Sequence, residues 1–379
     1  MNLNNVKPRT SQWKQILVVL ALILISLLVF AFFLRFSRIN GNFRATFEGM
    51  LTGTANRPFV TRVLIPWLTT GTGALLPVQI RSMIENWIGG SQLLLEVLGR
   101  YHAPVNLRVE ALISIFWQYL SLLGYFFVFR ALLKKIFTLS AAMVNLLSAL
   151  PALGLLPLMF FGYIYDLPSL FLCTLLFYAI AANRRTLYFI VFTLALVNKE
   201  TAAVLIIPSI LLFWRPDHPK IGQVIKGVLI QVLIFLVVRV PIAILFRKNA
   251  GAFMEMHFTD HWKGLIQNPM YGVALLVLFA CLFILLLYRW RQKPAVINLG
   301  LVSGMVLFVL FLIGGMPMEF RIFYEVMAAV MLSVIHSLLM RWNRSPLLNS
   351  MSTDEFIDSI RNWIAEKKTI STGKPAPNS

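Results

Sequence analysis

The sequence predicts an all-α fold: a polytopic transmembrane helical bundle of about ten spans, with amphipathic juxtamembrane helices in a long first outer loop. Three observations predict it. The chain is 59% hydrophobic and only 13% charged, whereas soluble domains carry about 25% charged residues. Its mean hydropathy is +0.78, and the apolar residues fall into runs of span length separated by short basic segments. One run, Leu187–Trp214, carries Asn198, Lys199, Glu200 and Thr201 at its middle. Its about 28 residues at about 1.5 Å each reach roughly 42 Å, too far for one crossing of a core about 30 Å thick. A helical hairpin or a broken helix with its turn at Asn198–Thr201 accounts for both the length and the charges.

The elements follow in order. Lys7, Arg9 and Lys14 precede the first span, Ile16–Leu34, and place the N-terminus in the cytoplasm. That run is too long for a signal-peptide core and reads as an uncleaved anchor. Residues 35–110 form the first outer loop. Within it, Asn56 reads as an N-cap with Pro58 in the first turn, followed by Phe59, Val63, Leu64 and Trp67 at helical spacing. A second stretch sets Ile80, Ile84, Trp87 and Ile88 opposite Arg81 and Glu85, and Gly89-Gly90 breaks it before Leu93–Leu98. Such helices suit the headgroup boundary. The later spans are Ala111–Phe129, Ala141–Ile164, Leu167–Ala182, the hairpin halves Leu187–Val197 and Ala202–Trp214, Gly227–Phe246, Tyr271–Tyr288, Ala295–Gly314 and Phe323–Met340. Residues 1–345 are thus a transmembrane domain. Residues 346–379 form a cytoplasmic amphipathic helix, opened by a capping box of Ser352 and Glu355 and striped with Phe356, Ile360, Trp363 and Ile364, before a disordered end from Ser371.

Charge placement tests the hairpin. With it, the short inner segments hold thirteen basic residues: Arg130, Lys134, Lys135, Arg184, Arg185, Arg215, Lys220, Lys226, Arg289, Arg291, Lys293, Arg341 and Arg344. The short outer segments hold five: Lys199, Arg247, Lys248, Lys263 and Arg321. A single crossing would reverse every later assignment and put Arg289, Arg291 and Lys293 outside, against the positive-inside rule. The net charge of +19 therefore reports topology and contact with anionic membrane lipids, not nucleic acid. Cys173 and Cys281 lie in apolar runs and form no disulfide or metal framework. The lack of cysteine pairs and of glycosylation-rich loops points to a bacterial inner (plasma) membrane, with both termini cytoplasmic.

With this topology the unusual polar residues collect on the outer side. They are Glu48, Arg57 and Arg62 in the first loop, Asp166 at a span start, Lys199 and Glu200 at the hairpin turn, Arg239 within a span, and Glu319, Arg321, Tyr324 and Glu325 around the last span. Carboxylates can activate an acceptor hydroxyl or position a metal. Arginine and lysine suit a phosphate or pyrophosphate as it departs. Plainer roles exist for each: a helix cap for Asp166, a mutual pair for Lys199 and Glu200, snorkelling for Arg239, and a loop ion pair for Glu319 and Arg321. The residues single out no cofactor, and a divalent metal is compatible with these acids. His257 and His261, beside Asp260, have the i, i+4 spacing of a helical metal site, a weak signal alone.

The stretches Asn56–Arg62, Tyr165-Asp166-Leu167-Pro168, Asn198–Thr201 and Glu319–Glu325, set in this layout, resemble the GT-C superfamily of multi-pass glycosyltransferases, in particular its poorly characterised bacterial members. The resemblance covers most of residues 10–345. It implies a polyprenyl-phosphate-linked sugar as donor and a glycan, lipid or protein as acceptor. In that family the first outer loop supplies a catalytic aspartate; this loop has none, and its nearest acid is Glu48. Asp166 matches the place of a second acid. The resemblance thus implies Glu48 or Asp166 as the carboxylate that activates the acceptor, with Lys199, Arg239 and Arg321 on the donor phosphate. Two other classes compete: a transporter or flippase for a lipid-linked or anionic substrate, since broken helices build such sites, and a non-catalytic subunit of a polysaccharide-assembly complex.

Overall fold

A computed structural model of the chain describes residues 12–37, 39, 42–160, 162–214, 216, 220–252, 256–317, 319–341 and 347–372. Lys7, Arg9, Arg215, Arg344 and the expected disorder beyond residue 372 lie outside these.

The chain is helical almost throughout. Helix α1 (Gln12–Phe36) leads to a loop carrying α2 (Phe47–Thr52), α3 (Leu64–Leu75), α4 (Val78–Gly90) and α5 (Gln92–Arg100). Then come α6 (Arg108–Ile136), α7 (Ala141–Leu147), α8 (Leu150–Leu155), α9 (Asp166–Ala181), α10 (Arg185–Asn198) and the short α11 (Ile206–Ser209). The second half holds α12 (Ile221–Leu245), α13 (Phe258–Gln267), α14 (Pro269–Leu287), α15 (Ala295–Gly314), α16 (Met327–Arg341) and α17 (Thr353–Thr372). Among the described residues, seven helical stretches are long and apolar enough to cross a membrane: Gln12–Phe36, Val105–Ile136, Ala141–Leu158, Ile221–Leu245, Pro269–Leu287, Ala295–Gly314 and Phe320–Arg341. Asp166–Ala181, Arg185–Asn198 and Glu200–Leu212 are shorter apolar helices at three further positions where the sequence places spans.

The run Leu187–Trp214 does fold back on itself. Helix α10 stops at Asn198, Lys199 is extended, and the chain returns through a 3-10 segment, Glu200–Leu205, into α11. The Tyr188 hydroxyl lies 3.2 Å from the Leu205 carbonyl oxygen, and Arg185 Nε donates to the Leu212 carbonyl at 3.0 Å. The two ends of the run therefore lie side by side. It packs against α9, α12 and α15, and α9 in turn packs on α6, where Gly124 lets the Phe171 ring come within van der Waals reach of the helix backbone. Where α15 meets α16, a Cβ on Gly300 would lie 2.6 Å from that of Ala329.

The first loop departs from expectation in one place. Asn56 caps no helix; Phe59–Thr61 is a 3-10 turn, the backbone leaves helical angles at Arg62 (φ −97°, ψ 73°), and α3 begins only at Leu64. The Arg62 side chain turns away from the would-be helix to pair with Glu200. The second amphipathic stretch is α4, and the break after Gly89-Gly90 falls at Ser91, which caps α5. Trp67, Met83, Trp87 and Leu93 leave a bare apolar face along α3 to α5.

The C-terminal segment is packed on the bundle end opposite the hairpin turn. Ser352 and Glu355 form the expected reciprocal capping box, with bonds of 2.7 and 3.2 Å. Trp214 Nε1 donates to Ser359 Oγ at 2.8 Å, and Phe356 packs edge-on against the Trp214 ring. Leu347–Leu348 pairs antiparallel with Phe137–Thr138 as a two-stranded ribbon. The helix includes Ser371 and Thr372.

Candidate functional site

At the bundle end that carries the hairpin turn, five chain segments converge: the first loop, the approach to α9, the turn itself, α12 through Arg239, and the segment before α16. The approach to α9 is fixed by Asp166, whose Oδ2 accepts the Tyr163 N–H at 2.7 Å. Asn198 then ties the end of α10 to the start of α9, donating to the Tyr165 carbonyl at 2.9 Å and to Ser169 Oγ at 2.8 Å. These two bonds set the turn residues against the Tyr163–Tyr165 loop, where the tyrosine rings stack at 5.5 Å.

Arg321 is the hub of one half of the cluster. Its Nη1 donates to both Asp166 oxygens at 3.0 and 3.1 Å and to the Tyr165 hydroxyl at 3.2 Å, while Nη2 donates to Glu319. Its guanidinium lies 4.1 Å from the Tyr163 ring centroid, a cation–π contact. The Tyr165 hydroxyl also receives Arg62, which links this half to the next. Arg62 Nη2 pairs with Glu200 at 2.9 Å, and the other Glu200 oxygen takes Arg239 Nη2 at 3.2 Å. Arg239 does not snorkel to an interface. It reaches inward to the Thr61 carbonyl and hydroxyl, each at 2.9 Å, and to the Leu196 carbonyl.

A separate buried pair lies beneath. Lys199 Nζ bonds Glu325 Oε1 at 2.8 Å, and the Thr201 hydroxyl donates to the same oxygen. The adjacent Lys199 and Glu200 therefore do not pair with each other: Lys199 is extended, and its side chain departs in a different direction from that of Glu200. Altogether four cations (Arg62, Lys199, Arg239, Arg321) meet four carboxylates (Asp166, Glu200, Glu319, Glu325), a balanced cluster.

Beside the cluster opens a cavity of about 300 Å³. Its polar lining is Arg62, Glu200, Thr201, His257 and Glu319, and its walls include Phe59, Val204, Phe235 and Leu310. Exposure divides the acids. Glu200 and Glu319 keep 22% and 23% of their side-chain surface open, whereas Asp166 and Glu325 keep none. Burial opposes the charge on Glu319, but the Arg321 guanidinium and the Met316 N–H outweigh it and hold the carboxyl below its ordinary range. Burial likewise opposes the Arg62 charge, and Glu200 more than restores it.

The structure thus brings together seven of the residues singled out from sequence: Arg62, Asp166, Lys199, Glu200, Arg239, Glu319 and Arg321, with Glu325 in the pair beneath. The others stand apart. Glu48 is exposed in the first turn of α2, and among the described residues no ion pair joins its side chain to the cluster. Arg57 instead clamps the 249–250 loop, donating to the Asn249 carbonyl at 3.0 Å. The Tyr324 hydroxyl points inward to the Leu158 carbonyl at 3.2 Å. His257 and His261 do not form a metal site. His257 pairs with Asp260 at 2.7 Å, and both His261 nitrogens are engaged, by Tyr271 and by the Phe311 and Gly315 carbonyls. Among the described residues no group of three His, Cys, Asp or Glu is placed to hold a metal ion. Sequence reasoning missed Thr61, Tyr163 and Tyr165. Two tyrosines flanking an apolar residue just before Asp166 were the available sign of a loop built to receive arginine. In comparisons with protein-family models, curated proteins and solved structures, the chain finds no match.

Proposed function

We propose that this chain is a membrane glycosyltransferase that moves a sugar from a polyprenyl-phosphate donor to an acceptor at the outer face of the membrane. The observation that carries the reading is the pair of part-open carboxylates, Glu200 and Glu319, each held by arginine at the edge of an apolar-walled cavity. An amphiphilic donor needs both features: apolar wall for the lipid and fixed charge for the head. The shorter helices Asp166–Ala181, Arg185–Asn198 and Glu200–Leu212 complete ten crossings, with both termini cytoplasmic by the basic-residue bias, in a bacterial inner membrane.

The environments of the two acids support different roles for them. Both Glu200 oxygens are taken up by arginines, so its charge is doubly compensated. Glu319 has one arginine and one neutral backbone N–H. Glu319 is therefore the better base, in place of Glu48 or Asp166. It takes the proton of the acceptor hydroxyl as that oxygen bonds to the anomeric carbon. The bond from that carbon to the phosphate oxygen breaks, and the phosphate leaves with the electron pair. Glu200 holds Arg62 and Arg239 beside the departing phosphate. The Nε–H of Arg62, the arginine that lines the cavity, is buried without a partner among the described residues, and an unsatisfied donor of this kind costs about 1–3 kcal/mol that an anion would recover. Asp166 is a positioning residue that aims Arg321. The acceptor is a glycan, a lipid or a protein, and the mechanism invokes no metal.

The test is transfer from a polyprenyl-phosphate sugar in proteoliposomes, with binding of the polyprenyl phosphate measured separately. Glu319→Gln should retain binding and lose transfer about 10²–10⁴-fold, the range for a general base. Arg62→Gln should weaken binding, and Glu48→Gln should transfer at the wild-type rate. Undiminished transfer in Glu319→Gln would refute the assignment of the base, and absence of polyprenyl-phosphate binding would remove the donor. In that event a transporter or flippase for a lipid-linked anion is the next reading, because the helix is interrupted at Lys199. Against it, the polar groups deeper in the hairpin are already bonded to one another: Gln231 Oε1 accepts Tyr188 at 2.7 Å and Ser209 at 3.0 Å.

A further inference from the structure

At the opposite end of the bundle, α1, α6 and α7 enclose a second cavity, of about 520 Å³. Its polar lining includes Lys14, Arg130 and Lys134 with Asn145, and among the described residues no carboxylate. The contrast with the first site is physical. There every cation has a carboxylate; here three cations share one recess without one. The sequence contains no Asp or Glu in residues 1–47 or 111–165, the segments that build this end of α1, α6 and α7. The cations therefore have no acid of their own or adjoining segments to turn to.

The recess is also organised. Arg130 donates through Nε and Nη2 to Asn145 Oδ1 at 3.0 and 2.9 Å, which fixes the plane of its guanidinium and leaves Nη1 for another acceptor. Along α1 the lining changes character, from Lys14 to Val18, Val19 and Leu22. Eight residues of helix span roughly 12 Å, so the groove runs from a cationic head to an apolar stem. Leu17, Leu20 and Leu24 on α1 are exposed, which puts this helix at the bilayer-facing surface of the bundle.

From this polarity we infer that the groove between α1, α6 and α7 binds an anionic membrane phospholipid, its phosphate on Lys14, Arg130 and Lys134 and an acyl chain along Val18, Val19, Leu22 and Phe127. Basic recesses between membrane helices recognise lipid phosphates in this manner. The occupant sets a negative charge among the three cations and covers the apolar stem in one step, which a soluble anion cannot do.

The test uses the full-length protein in phosphatidylcholine bicelles, with phosphatidylglycerol titrated in and retained lipid counted by native mass spectrometry. The wild type should retain phosphatidylglycerol over phosphatidylcholine. Lys14→Gln/Arg130→Gln/Lys134→Gln should lower that preference about a hundredfold, since each basic residue near a membrane surface contributes about fivefold. Lys220→Gln/Lys226→Gln, which removes two cations from the same end outside the groove, should leave the preference unchanged and controls for bulk charge. An equal loss in this control would overturn the site, as would a folded triple variant with wild-type preference. Inorganic phosphate is the third arm. Displacement of phosphatidylglycerol by millimolar phosphate would assign the recess to soluble phosphate and overturn the lipid reading.

Discussion

The Lys199–Glu325 pair offers the sharpest test of how the hairpin is held. Both side chains are almost wholly buried, at 4% and 0% exposure, and their charged atoms are 2.8 Å apart. At an effective dielectric constant of about 20 the attraction at that distance is about 6 kcal/mol. Desolvation costs several kcal/mol per ion, so the pair as a whole adds little net stability. Removing one partner is different, because the survivor stays buried with its charge uncompensated, at a cost of about 3–5 kcal/mol. Lys199→Met and Glu325→Gln should therefore each lower stability by that amount. The double variant should be more stable than either single variant. Its new amide keeps an oxygen for the Thr201 hydroxyl, and its thioether chain fills the space of the lysine. The assay is a double-mutant cycle by chemical denaturation in detergent, with helix loss followed by circular dichroism. Losses that simply add would refute the pairing and return Lys199 to the reacting groups of the cavity.

Three further outcomes follow from the same geometry. Gly300→Ala should cost about 1–3 kcal/mol, because its Cβ meets that of Ala329 on a neighbouring helix; Gly89→Ala, with nothing within 4 Å of its Cβ, should stabilise α4 by about 0.5–1 kcal/mol, both read by thermal melts. Glu319, with its folded pKa depressed, contributes stability that is present above the unfolded value of about 4.3 and is lost as pH falls through the folded value. The melting difference between wild type and Glu319→Gln should hold from pH 7 to pH 5 and shrink below about pH 4.3; a difference that vanishes already at pH 6 contradicts the Arg321 pairing. His261→Ala should destabilise the protein by about 1–3 kcal/mol by stranding Tyr271 and two carbonyls, while a chelator should leave the melting temperature of the wild type unchanged.

Much of the fold was legible because the membrane imposes coarse rules. Span length, the basic bias and the charges within Leu187–Trp214 located the hairpin, and the Ser352–Glu355 spacing gave the start of α17. The gathering of acid and base at one end was legible as well. The partners were not. Lys199 pairs across 126 positions with Glu325, and Arg62 across 138 with Glu200, and such matches depend on where backbone breaks send a side chain. The break at Arg62 was hidden for the same reason, since local spacing favoured a helix and a distant carboxylate decided otherwise. Glu48 attracted notice as the first acid of the loop, but position in sequence carries no information about exposure, and Glu319, two residues from its arginine, looked like an ordinary loop pair.

That exposure separates the four acids also bears on why the cluster exists. Buried ion pairs are weak contributors to stability, and well-packed apolar residues usually serve as well or better. Stability alone therefore does not explain five of them at one end of an otherwise apolar bundle. Asp166 and Glu325 act as internal anchors: one aims Arg321, the other holds Lys199 and so the turn. With those two carboxylates removed from solvent, Arg321 and the turn have a single arrangement, and Glu200 and Glu319 are held by it at the cavity edge. The deeper pairs are closed to solvent, and the outer pair lies at the cavity edge, where the proposed donor would meet it. Substitution of Asp166 should therefore reach the chemistry only through Arg321, changing activity and stability together, whereas Glu319→Gln should change activity far more than it changes the fold.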